Sequence, residues 1–123
     1  MENIEEIFKD KNFDSKTLYY INNFIEEFDE FFGKYVSRDE VIRRIKENLK
    51  ENIEFVDFER NGLLGRYIPR EKKILIRSGL PEEKLKSTFF HEMIHCITTL
   101  LNNNYIYVQF FINIISHNNY PCQ

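Results

Sequence analysis

Apolar residues at Leu18, Ile21, Phe24, Ile25, Phe28 and Phe32 recur every three or four positions. That spacing predicts an amphipathic helix over 15–33, stopped near Gly33. Ser37, followed three residues later by Glu40, has the form of a capping box. Val41, Ile42, Ile45 and Leu49 give the apolar face of the helix it opens, 37–50. The period then changes. Residues 53–58 alternate as a strand does, and Asn61-Gly62 marks a turn. Two further strands are predicted at 65–68 and 73–77, joined through Pro69-Arg70-Glu71 as a hairpin. Gly62 and Gly65 are expected to serve turns or bulges. Pro81 suits the first turn of a last helix, 81–101, with Glu82 and Glu83 at its positive end and Asn102 to Asn104 stopping it. The expected fold class is α+β: N-terminal helices packed on a small three-stranded sheet, followed by this last helix as a spine.

The chain has 123 residues, of which 42% are hydrophobic and 15% aromatic. That is enough for one domain with a core and excludes full disorder. Seventeen Lys and Arg against 20 Asp and Glu leave a net charge of −3. Without a basic excess, no nucleic-acid partner is expected. The acidic N-terminus has no apolar stretch of the secretory kind, and Cys96 and Cys122 make no disulfide framework. Both points lead to a reducing, cytoplasmic location. Cys96 is expected to act as a small buried hydrophobe.

Charge is distributed unevenly. Every Asp, Glu, Lys and Arg lies between Glu2 and Glu92. Residues 1–101 are read as the domain and 102–123 as an uncharged tail. Its apolar stretch, Tyr105 to Ile115, is broken by Gln109 and Asn113 and falls short of the about 20 residues of a membrane span. No membrane partner is therefore expected. Three readings of the tail stay open: a buried strand or helix, a segment made foreign to the domain by truncation or a frameshift, and a surface or membrane anchor.

The chemistry concentrates at His91-Glu92-Met93-Ile94-His95, an H-E-x-x-H match inside the last helix. Residues four apart share a helix face, so both imidazoles can hold one Zn²⁺ with Glu92 beside them. Zinc lowers the pKa of a bound water, and a nearby carboxylate takes its proton for attack on a polarised carbonyl. The apolar surroundings, Phe89, Phe90, Ile94 and Ile97, argue against a chance pattern on a wet helix face, because burying two His and a Glu without a ligand is costly. A catalytic zinc site normally has three protein ligands. No Asp or Glu follows Glu92. The downstream candidates are His117, Cys122 and the tyrosines Tyr105, Tyr107 and Tyr120, with His117 in first place. An exposed loop histidine is the competing reading of His117.

Gly65-Arg66-Tyr67, then Ile74-Leu75-Ile76, Leu80, and Thr88-Phe89-Phe90 running into His91–His95 resemble the zincin-like peptidase domains of the ImmA/IrrE type. The resemblance covers roughly residues 37 to 101. SprT-like metalloprotease domains are the second family it resembles. The resemblance implies that His91 and His95 are zinc ligands and Glu92 the catalytic base. It implies a third ligand further along the chain, acidic or histidine, for which the tail offers no clear equivalent. It also implies an intracellular peptidase with a protein or peptide substrate, such as a repressor. Ile74, Leu75 and Ile76, within Lys73 to Arg77, are expected to take an extended peptide as an added strand. That this strand pairs only within the sheet stays open, as does the alternative of an inactive zincin-like remnant that binds a protein partner.

The other charged runs invite plainer readings. Glu26-Glu27 and Asp29-Glu30 are expected on a solvated face, and Arg43, Arg44 and Lys46 in pairs with Glu40 and Glu47.

Overall fold

A computed structural model of the chain describes residues 3–98. The tail, with His117 and Cys122, lies outside the described residues, as do positions 99–101 of the predicted last helix. The elements run α1 (Ile4–Ile7), α2 (Ser15–Phe32), α3 (Arg38–Asn48), β1 (Glu54–Val56), β2 (Gly65–Ile68), β3 (Lys73–Arg77) and α4 (Glu82–Thr98). The class is α+β.

Local chemistry sets the helix ends. The Asp14 carboxylate accepts the Thr17 amide at 2.8 Å and starts α2. The Ser37 hydroxyl accepts the Glu40 amide at 3.1 Å and starts α3. Leu49 turns extended, so α3 ends at Asn48 rather than residue 50. The four-residue α1, capped by Asn3, is too short to leave a periodic signature. Arg43 pairs with Glu40 and Glu47, and Arg44 with Glu40, within α3.

The sheet has the order β1-β3-β2. β2 and β3 form the expected antiparallel hairpin, with Gly65 opposite Ile76 and Tyr67 opposite Ile74. β1 joins β3 in parallel, Glu54 opposite Leu75. β1 is only three residues long. The Ile53 amide goes to the Thr17 hydroxyl at 3.1 Å instead of extending the ladder. Beyond β1, the Arg77 side chain donates to the carbonyls of Leu63 and Arg60 and so holds the incoming loop.

β3 is hydrogen-bonded on both sides, which corrects the expectation that it takes an added peptide strand. Ile74, Leu75 and Ile76 have no open edge, and Ile74 and Ile76 are fully buried in the core. The apolar residues that made this segment attractive are there because the central strand of a small sheet is its most buried one.

α4 packs against α2 and α3 on one side and against β2 and β3 on the other. That sandwiching explains why eleven of its residues, from Leu85 to Thr98, are buried almost all round the helix. Phe90 meets Phe24 of α2 with ring centroids 5.0 Å apart, and Phe89 meets Tyr20 at 5.9 Å. The Tyr20 hydroxyl also donates to Glu82 at 2.8 Å, which fixes the start of α4. Among the described residues no helix is long and apolar enough to cross a membrane.

Candidate metal centre

The spine helix carries His91, Glu92 and His95 within one turn and a quarter, which puts all three side chains on adjoining sectors of its surface. His91 and Glu92 are each only 3% exposed, and His95 is half-buried. The Nε2 atoms of His91 and His95 lie 3.1 Å apart, with ring centroids separated by 4.8 Å and planes at 72°. Two nitrogens on one tetrahedral Zn²⁺, each bonded at about 2.05 Å, stand about 3.3 Å apart. The pair therefore has the bite for a single ion. Burial, and for His91 also the neighbouring His95, pushes both imidazoles below their ordinary range, His91 to about 4. Both rings are thus neutral near pH 7, the form in which imidazole ligates metal.

Glu92 faces the sheet. Burial raises its carboxyl to about 7, against the backbone amide of Tyr67, which hydrogen-bonds to it, and the charge of Arg66. The strand reaches Glu92 because position 65 has no side chain. A Cβ at Gly65 would stand 2.7 Å from Thr88 Cγ2, 3.1 Å from Glu92 Cγ and 3.3 Å from the Leu75 carbonyl oxygen. Gly65 is therefore a contact of β2 with α4, not the turn or bulge expected of it. Gly62, with φ 86°, is the turn residue. A glycine inside a strand is also the mark of close backbone approach, and that was the signal available in the sequence.

Behind the site, the Tyr67 hydroxyl donates to the Asn48 carbonyl at 2.6 Å and is hydrogen-bonded to Cys96. Cys96 is fully buried, and burial pushes its thiol up to about 12, so it is a packed, inert side chain. The Arg44 guanidinium donates to the Ile97 carbonyl at 3.3 Å and ties the end of α4 to α3.

Of the predicted site residues, the structure brings His91 and His95 together, while Glu92, next to His91 on α4, turns toward β2. It places Ile74, Leu75 and Ile76 in the central strand. His117 lies outside the described residues. Among the described residues no third His, Cys, Asp or Glu completes a metal-holding group. No family model, curated protein or solved structure matches the chain.

Proposed function

We propose that this protein is a zinc-dependent peptidase of the zincin kind that works in the cytoplasm on a protein or peptide substrate. The observation that carries the reading is the His91–His95 pair, with Nε2 atoms 3.1 Å apart, next to the buried Glu92 on the same helix. Nε2 of each histidine would hold the ion. A Zn²⁺ there supplies Lewis acidity toward a carbonyl and acidifies a water. Glu92 accepts the proton of the attacking water on its carboxylate and returns it to the leaving amine. Its pKa near 7 suits both halves of that transfer. The packing of α4 between two layers holds the three side chains on a rigid element and limits the access of bulk water.

A second reading, that the chain is an inactive zincin-like module binding a protein partner such as a repressor, is favoured by one observation. No third ligand stands among the described residues. A peptide-library cleavage assay separates the two. The peptidase reading expects zinc-dependent cleavage by the wild type that is abolished by chelator and reduced at least 100-fold in Glu92→Gln. Cleavage that survives both treatments, or none by a zinc-loaded wild type, contradicts it.

A further inference from the structure

Gly65 and Tyr67, two apart on β2, both stand against the Glu92 side chain. Gly65 lies against Glu92 Cγ and Thr88 Cγ2, while the Tyr67 backbone N–H hydrogen-bonds to the Glu92 carboxyl group. Gly65 is buried, and its φ is not in the left-handed region, so no turn geometry calls for glycine there. What it provides is space. Thr88 and Glu92 are four apart on α4 and present neighbouring surfaces to the strand. A β-branched side chain in a helix has one strongly preferred rotamer, or two for threonine, so Thr88 Cγ2 has little freedom to retreat.

We propose that Gly65 is a positioning residue for Glu92: by omitting a side chain it lets β2 lie against α4 closely enough for the Tyr67 amide to seat the Glu92 carboxylate. The proposal rests on the peptidase reading for its catalytic consequence, and on the strand–helix contact alone for its structural one. Glu92 has several side-chain torsions and would otherwise adopt several rotamers inside the core. One backbone amide, on a strand held by the β2–β3 ladder, selects one rotamer for the carboxylate. A larger residue at 65 moves the strand, the amide or the carboxylate, and an error of about 1 Å in a proton-transferring group costs about 100-fold in rate.

The test uses the full chain with Gly65→Ala, Thr88→Ser and the double variant. Thr88→Ser removes Cγ2, the closest atom to a new Cβ, while the contact with Glu92 Cγ remains. A packing role alone is relieved by Thr88→Ser, but a positioning role is not. The expected result is a double variant that keeps the thermal stability and zinc content of Thr88→Ser yet loses kcat about 100-fold, with KM within about threefold. Its Tyr67 amide should exchange with solvent at least tenfold faster. Wild-type kcat and wild-type protection of the Tyr67 amide in a folded double variant overturn the proposal. If the Gly65 variants do not fold, Glu92→Ala decides it, because removing the carboxylate must release the Tyr67 amide to faster exchange, and unchanged exchange overturns the seat. The amide readout requires neither zinc nor catalysis. A wild type without zinc or activity, but with a Tyr67 amide that responds to Glu92→Ala, would therefore refute the peptidase reading and keep the contact.

Discussion

His91 and His95 meet edge to face across one turn of α4, with their Nε2 atoms 3.1 Å apart. Without an ion, two neutral imidazoles hold that distance when one Nε2–H donates to the lone pair of the other. With an ion, both Nε2 atoms must offer lone pairs, so the donor ring's proton moves to Nδ1 and both rings are then protonated there. The relationship therefore predicts a tautomer change that nitrogen NMR of the rings can follow. In metal-free protein one of the two rings carries its proton on Nε2. Zinc should convert that ring, so that both are in the Nδ1–H form at one equivalent. Ring signals that ignore zinc would mean that the 3.1 Å contact is only a hydrogen bond.

Metal-free protein should be acid-sensitive through His91. The unfolded chain takes up a proton on this residue near pH 6.5, whereas the folded chain resists until about pH 4. Stability is therefore lost as pH falls across that window, by on the order of 3 kcal/mol at full effect. Thermal melts from pH 7 to pH 4 in chelator should show the loss in wild type and a shallower slope in His91→Gln. Parallel slopes would show that His91 is not held neutral by burial.

Glu92 has the opposite sign. Its carboxyl ionises at its ordinary 4.5 when unfolded and near 7 when folded. The stability this shift contributes is complete below about pH 4.5 and is lost as pH rises through 7. Glu92→Gln cannot ionise and retains an acceptor for the Tyr67 amide. In chelator at pH 8.5 it should be more stable than wild type by about 2–3 kcal/mol, with no gain at pH 4.5. A gain that is the same at both pH values would place its cause elsewhere.

Tyr67→Phe removes a buried hydroxyl that donates to the Asn48 carbonyl at 2.6 Å. The carbonyl is left without that donor, and the expected cost is about 1–2 kcal/mol in denaturant unfolding, with zinc content unchanged. A loss of zinc without a loss of stability would contradict the assignment of the Tyr67 side chain to the scaffold.

Much of this architecture can be read from the chain because it is written in local chemistry. The capping at Ser37, the hairpin of Gly65–Ile68 with Lys73–Arg77 and the apolar stripe of Leu18 to Phe32 depend on neighbours a few residues away. The strand order is different in kind. β1 pairs with β3 in parallel at an offset of 21 positions, and no pattern in 53–58 specifies which neighbour it takes. The same non-local fact buries Ile74 and Ile76 and removes the edge expected for a peptide. At the site, the H-E-x-x-H spacing makes the His pair legible, because helical geometry fixes what lies four residues away. The seat for Glu92 is not, since it depends on which strand crosses α4 and at what distance. Gly65 and Gly62 look alike in the sequence and differ in backbone conformation and in what stands opposite them.

Zinc content decides whether the His91–His95 pair holds a metal ion. Purified full-length protein, wild type beside His95→Ala, is dialysed extensively against metal-free buffer and analysed for bound elements. Close to one zinc per chain is expected in the wild type and little in a folded His95→Ala, which keeps only one imidazole of the pair. A folded wild type without zinc, or a variant that retains it in full, would overturn the zinc-peptidase reading and leave His91 and His95 as a hydrogen-bonded pair of the core.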